Sequence, residues 1–245
     1  MSFSRLVAHN FKQLTTPVIG ATLMLCMGAA QADDSSLVIR GKDGWLFPGW
    51  GSLTTVDSKS IDSNTALIKD TRDALQARGV KLIVLMLPDK TLFYQDKLPA
   101  DKTLSPQVKE RYQTILGKLK QAGIPTFDDA AVLNQVKSAG KDVFYRTDQH
   151  WAQPAADATA VATAALIKQV EPNLKGNAGS GMQLGKEFNE RRFGDLAERF
   201  LTEDQRKATG RETFVVRRQD TSGSLLDSAP APVHVTGHSM VQPYF

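Results

Sequence analysis

Asp148 and His150 stand two residues apart in Tyr145-Arg146-Thr147-Asp148-Gln149-His150-Trp151. In an extended segment, residues two apart point to one side. The Asp148 carboxylate can therefore reach one imidazole nitrogen, fix the tautomer and leave the other nitrogen as a base. An alanine-rich helix is expected to start just beyond, at Gln153-Pro154, and its N-terminal dipole disfavours an imidazolium and keeps such a base neutral. The same residues allow a plainer reading, in which Asp148 caps that helix and His150 is a surface residue.

A base needs a nucleophile to activate. Val233-His234-Val235-Thr236-Gly237-His238-Ser239 reads as an apolar strand that ends in a glycine turn and a serine. A sharp turn at a strand end lifts a hydroxyl out of the sheet and exposes backbone N–H groups that can hold an oxyanion. Serine alone is weakly nucleophilic and requires a base; here too the plainer reading is a turn or capping residue. Asp148, His150, His234 and His238 are also metal-ligand types. If Val233 to Gly237 is a strand, however, the two histidines four apart lie about 13 Å from each other at ~3.3 Å per residue, and one zinc ion cannot bind both at roughly 2 Å. No metal site is expected. Lys90 stands just past an apolar run, where a substrate carboxylate could meet it; the plainer reading, and the one favoured, is a solvated lysine. Trp151, beside His150, is a groove aromatic able to stack on a sugar ring, or a core residue like Trp45 and Phe47.

These groups need elements to hold them. After Gly41-Lys42-Asp43-Gly44, a turn, comes a short apolar strand at Trp45-Leu46-Phe47. A helix is predicted from about Asp62 to Arg78, with Leu67, Ile68, Ala74 and Leu75 on one face and Gly79 as its stop. Val80 to Leu87 is an almost unbroken apolar run, as expected of a strand buried on both faces. Ser105-Pro106 opens a helix whose apolar residues Val108, Tyr112, Ile115, Leu119 and Ala122 recur at steps of three and four before Gly123. Ile124 to Phe127, Val143 to Arg146, Glu212 to Arg218 and Pro232 to Thr236 are strand candidates. Asp129 to Ser138 and Gln153 to about Val170 are predicted helices, and Glu171 to Gly185 a loop. Strands alternating with helices argue for an α/β fold with a largely parallel sheet, whose ligands bind at the carboxyl ends of its strands.

The chain has 245 residues, 30 Lys+Arg against 26 Asp+Glu, and 41% hydrophobic residues, a globular composition that excludes disordered and fibrous classes. Residues 1–32 carry Arg5 and Lys12 before an uncharged apolar stretch from Pro17 to Ala30, then Ala30-Gln31-Ala32. That is the pattern of a secretory signal peptide, with cleavage expected before Asp33 and one domain over 33–245. Cleavage leaves 28 basic groups against 26 acidic ones, a net charge of +2 instead of +4, too small to argue for nucleic-acid binding. It also removes Cys26, the only cysteine, and with it any disulfide or thiolate chemistry.

The residues also carry a resemblance. GKDGWLFPG at 41–49, LIVLMLPDKTLFYQDKLP at 82–99, GIPTFD at 123–128, VFYRTDQHWAQPAA at 143–156, FGDL at 193–196 and VTGHS at 235–239 are similar to stretches of the SGNH-hydrolase-like domain of the alginate O-acetyltransferase family, the periplasmic AlgJ and AlgX type. The resemblance implies a three-layer SGNH-hydrolase-like fold and a catalytic triad of Asp148, His150 and Ser239. The Asp-x-His pair precedes the serine, reversing the motif order of ordinary SGNH hydrolases, as in a circular permutation. The implied chemistry needs no cofactor: an acetyl group is carried on Ser239 and passed to a hydroxyl of an exported polysaccharide such as alginate. The implied partners are that polysaccharide, a membrane-bound O-acyltransferase that supplies acetyl groups, and other polysaccharide export proteins, with a periplasmic location.

Two features depart from the family pattern, and a third stretch departs from ordinary SGNH esterases. His238 stands where a small hydroxyl residue is usual, so its imidazole is expected to alter the turn or donate a hydrogen bond of its own. The chain ends at Phe245, six residues after Ser239, where relatives continue; a domain incomplete at its C-terminus, from a shortened or frameshifted gene, is expected. Gly194-Asp195 resembles the Gly-Asp-Ser block of ordinary SGNH esterases, but Leu196 replaces the serine and no catalytic role is assigned there. Two other functions share these features. A non-catalytic polysaccharide-binding or export scaffold needs only the fold, and a carbohydrate esterase uses the same triad with water as acceptor.

Overall fold

The computed structural model describes residues 37–174, 183–220 and 232–240. The expected signal peptide and residues 175–182 of the expected loop lie outside the described residues. Strands β1 (Val38–Arg40) and β2 (Leu46–Pro48) form an antiparallel pair with Ile39 opposite Phe47. Their connection turns through Lys42–Gly44, where Asp43 and Gly44 take φ of 54° and 74°. The helices α1 (Ser58–Gln76), α2 (Lys90–Phe93), α3 (Pro106–Gln121), α4 (Asp129–Ser138) and α5 (Gln153–Val170) follow. Strand β3 (Gln183–Arg192), helices α6 (Asp195–Phe200) and α7 (Glu203–Thr209), and strand β4 (Glu212–Asp220) complete the order.

Local chemistry sets most helix starts. Ser105 accepts a hydrogen bond from the Val108 N–H, with Pro106 in the first turn of α3, and Asp128 does the same for Ala131 in α4. Helix α3 buries Val108, Tyr112, Leu116 and Leu119, one stripe at 3.6-residue spacing, with Leu116 where the sequence suggested Ile115. Helix α1 begins earlier than predicted, capped by Asp57, and buries no residue fully. Its half-buried stripe is Ile61, Thr65, Ile68, Arg72 and Leu75. Leu67 is 65% exposed because it lies a quarter-turn from that stripe.

Two apolar clusters hold the fold. The larger joins Trp45, Phe47, Phe93, Tyr94, Leu133 and Phe144 with residues of α3 and α5; the smaller joins Val38 and Leu46 with Leu196, Ala197 and Leu201. Strand β2 alternates between them, Leu46 facing one and Phe47 the other.

The sheet differs from expectation. Both ladders among the described residues are antiparallel, β1 with β2 and β3 with β4. The apolar run 80–87 forms no ladder among the described residues. Its Val84 N–H donates to the Pro125 carbonyl at 3.0 Å, and Leu82 to Leu87 are half-buried, not enclosed on both faces. Residues 232–236 form no strand, leaving Val233 38% and Val235 72% exposed. Alternating Val residues supply strand propensity, but a strand needs a neighbour to bond. The predicted His234–His238 strand spacing falls with it. Conversely, Gln183–Arg192, expected partly as loop, is a strand in register with β4, Arg192 opposite Glu212 and Phe188 opposite Val216.

Candidate active site

The segment 143–152 is a tight reversal. The Ala152 N–H donates to the Val143 carbonyl at 3.0 Å, the Tyr145 N–H to the His150 carbonyl at 3.2 Å, and Phe144 bridges Trp151. Four distant elements fasten it. Lys90, at the start of α2, donates through Nζ to the carbonyls of Leu46 (2.6 Å), Tyr145 (2.7 Å), Arg146 (3.0 Å) and Asp148 (3.0 Å). The Glu212 carboxylate, at the start of β4, accepts the Arg146 N–H at 2.5 Å, and the Thr147 N–H and hydroxyl at 2.8 Å each. At α6 the Asp195 carboxylate accepts the Gln149 N–H at 2.9 Å and its side-chain amide at 2.7 Å. The Leu46 N–H of β2 donates to the Arg146 carbonyl at 2.9 Å.

Inside this frame Asp148 is fully buried and His150 is 5% exposed. Asp148 Oδ1 accepts the His150 backbone N–H at 2.8 Å and lies 2.6 Å from its Nδ1; Oδ2 accepts the Asp195 N–H at 2.9 Å. A carboxylate can only accept, so Nδ1 carries the proton and the neutral ring presents a lone pair at Nε2. Ser239 Oγ lies 2.8 Å from Nε2, donating its proton there. Burial pushes the Asp148 carboxyl up, but the bonds from His150 and the Asp195 N–H outweigh it, so the group titrates below its ordinary value. Asp195 moves the other way, raised by burial and then by the Asp148 charge.

Asp148, His150 and Asp195 each bring a ligand-type atom within 4.8 Å of the others. Every carboxylate oxygen among them already accepts an N–H bond, so a cation would have to displace those donors. The adjoining pocket is lined by Tyr145, Trp151, Arg192, Arg217, His150 and Ser239, among others. Arg217 pairs with Glu187 and lies 3.9 Å from Asp157. The Arg192 guanidinium stacks 3.9 Å from the Phe214 ring centroid.

A buried carboxylate, an imidazole and a serine hydroxyl in succession match the nucleophile relays found on several unrelated folds, so kinship needs its own comparison. The family model described as SGNH hydrolase-like domain, acetyltransferase AlgX, matches residues 38–245. The chain belongs to this family. Among its relatives, the probable alginate O-acetylase AlgJ of Pseudomonas aeruginosa is 32% identical over 132 residues, 54% of this chain and 33% of that protein. The alginate biosynthesis protein AlgX of Pseudomonas syringae pv. tomato is 26% identical over 197 residues, 66% of this chain and 40% of that protein. The chain thus spans about a third of the length of the AlgJ proteins it matches. Among solved structures, the O-acetyltransferase domain of Pseudomonas putida AlgJ superposes with a TM-score of 0.60 at 25% identity, covering 76% of this chain and 66% of that one.

In this member of the AlgX family the structure brings Asp148, His150 and Ser239 together and sets Trp151 beside them. Asp148 does not cap α5: that position belongs to Ala152, which makes no side-chain cap. Lys90 corrects both sequence readings. It is 3% exposed, neither solvated nor able to meet a substrate, because its ammonium is spent on four backbone carbonyls, with the Trp45 and Phe47 ring centroids 5.1 and 5.2 Å away. Burial pushes it down to about 7, against the opposing pull of Glu212, Asp148 and Asp195. Among the described residues His238 acts in the turn as an acceptor: its Nδ1 takes the Met240 N–H at 3.3 Å. Asp195 and Glu212 were missed. Gly194-Asp195 was the available signal, and Gly194 serves close approach there: a Cβ would sit 2.5 Å from the Thr147 carbonyl.

Proposed function

We propose that this chain is a periplasmic polysaccharide O-acetyltransferase that works through an acetyl-serine intermediate on Ser239. The observation that carries the reading is the aligned pair of contacts, Ser239 Oγ to His150 Nε2 at 2.8 Å and His150 Nδ1 to Asp148 at 2.6 Å. His150 Nε2 takes the serine proton as Oγ attacks the acetyl carbonyl, and the imidazolium returns that proton to the departing donor group. A sugar hydroxyl then gives its proton to Nε2 and attacks the acetyl carbon, and the imidazolium returns that proton to Ser239 Oγ as the serine ester bond breaks. Asp148 holds the productive tautomer and stabilises the imidazolium throughout.

The acceptor of this reading is an alginate-like polymer, consistent with the names of the AlgJ and AlgX relatives and with Arg192, Arg217 and the Trp151 ring around the pocket. Guanidinium groups suit a sugar carboxylate and an indole face suits a pyranose ring. The donor is a membrane-bound O-acyltransferase working beside other polysaccharide export proteins. The fold of this reading keeps the permuted motif order, with 80–87 and 124–127 as neighbouring strands of a parallel sheet; their support is the Val84–Pro125 bond. One observation favours hydrolysis as a second reading: Ser239 is exposed, and water competes with a sugar wherever it is not excluded.

The test is incubation of the protein with an activated acetyl ester, followed by mass spectrometry. One acetyl group on Ser239, absent in Ser239→Ala, is the expected result. Acetylated oligouronates then indicate transfer, and free acetate alone indicates an esterase. A Ser239→Ala protein that acetylates as fast as the parent overturns the reading.

A further inference from the structure

The contacts between the His150 loop and the start of α6 are reciprocal. The Asp195 N–H donates to Asp148 Oδ2 at 2.9 Å, while the Asp195 carboxylate accepts the Gln149 N–H at 2.9 Å and the Gln149 amide at 2.7 Å. Each chain segment thus supplies a carboxylate to the other's backbone. Asp195 is 6% exposed, its Oδ2 stands 3.7 Å from His150 Nδ1, and the chain can come this close only because residue 194 lacks a Cβ.

We propose that Asp195 is a positioning residue of the nucleophile relay, acting through Asp148: its side chain clamps Gln149, and the clamp holds the Asp195 N–H on the far oxygen of the Asp148 carboxylate. The inference deepens the reading of Ser239, His150 and Asp148 as catalytic and rests on it. Asp148 Oδ1 carries two bonds from His150, so rotation of the carboxylate about its own axis would misplace the imidazole. The bond to Oδ2 opposes that rotation. The Asp195 carboxyl, raised by burial and by the Asp148 charge, serves here by its oxygens as acceptors.

Labelling of Ser239 by a fluorophosphonate tests this independently of any sugar. The serine oxygen bonds to phosphorus, fluoride leaves, and the serine proton passes to His150. Asp195→Ala should slow labelling about 10²-fold, the scale of a small misplacement of a reacting group. Asp195→Asn keeps an oxygen for the Gln149 N–H, and Gln149 can turn its amide to meet the new NH2, so it should stay within about tenfold of the parent. In an Asp148→Asn background the Asp195→Ala change should cost about threefold or less, because its target is already disabled. Should Asp195→Ala fail to fold, Asp195→Ser, too short to reach Gln149, carries the same cycle. Equal slowing in both backgrounds, an Asn variant as slow as Ala, or parental labelling in the Ala variant overturns the proposal. Coupled labelling without acetyl transfer to oligouronates would sink the acetyltransferase reading and leave this inference standing; a parent that does not label sinks both.

Discussion

The two halves of the site are held in opposite ways. The loop bearing Asp148 and His150 is buried and fastened by bonds from α2, α6, β2 and β4. Among the described residues, the segment bearing Ser239 is exposed from 232 to 239, forms no ladder, and has as its described links the His150 contact and the packing of Met240 on the larger cluster. The orientation of His150 is therefore built into the core, whereas few contacts among the described residues hold Ser239. Local stability follows contact density, so changes on the base side should cost both catalysis and folding. Changes on the serine side should cost catalysis alone, where they cost anything.

The largest effect is expected from Asp148→Asn. It keeps the shape but permits the wrong imidazole tautomer, and should slow acetyl-enzyme formation by about 10⁴-fold. A loss under tenfold would mean that the buried frame does not orient His150. Next is Lys90→Met, of similar length but without donors. It leaves four carbonyl contacts unmet in the interior and should destabilise the fold by about 3 kcal/mol or more. Urea unfolding measures this directly, and an unchanged midpoint would remove Lys90 from the frame. Glu212→Gln keeps one acceptor oxygen for the Arg146 and Thr147 donors, so a smaller loss of about 1–2 kcal/mol is expected in the same assay.

Acid should also discriminate the halves. The folded Asp148 carboxyl titrates below its ordinary value of 3.8, so the unfolded chain takes up its proton first as pH falls. The stability Asp148 contributes is present above 3.8 and lost as pH drops through its folded value. Thermal unfolding followed from pH 5 downward should show a steeper decline for the parent than for Asp148→Asn, while Ser239→Ala should follow the parent.

The three side chains that meet at the candidate site were legible because Asp148 and His150 sit two apart and Ser239 closes the Val235–Ser239 stretch that carries the family resemblance. Most helices were legible for a similar reason: caps such as Ser105 and Asp128 act within three residues. The frame was not. Glu212 reaches Thr147 across 65 positions, Asp195 reaches Gln149 across 46, and Lys90 is bound by backbone carbonyls, which no side-chain pattern encodes. Strand β3 was hidden by its composition, since Lys186-Glu187-Phe188-Asn189-Glu190-Arg191-Arg192 offers one large apolar residue. Its register comes from β4, whose Phe214 and Val216 are buried. The opposite error occurred at 232–236, where propensity predicted a strand that pairs with no neighbour among the described residues.

The smallest effect is expected there. Val235 is 72% exposed, so replacing it by serine removes little buried apolar surface and should change stability by no more than about 0.5 kcal/mol. The comparison of the halves depends on this small number. A fully enclosed valine in a sheet contributes roughly 1.5 kcal/mol or more by burial alone. If Val235→Ser cost that much in urea unfolding, the serine-bearing segment would be a packed strand, as its alternation suggested. The nucleophile would then be anchored as firmly as the base. If the cost is negligible while Met240→Ala slows acetyl-enzyme formation, Ser239 is located mainly by what lies on either side of its hydroxyl: the imidazole it touches and the methionine that follows it into the core.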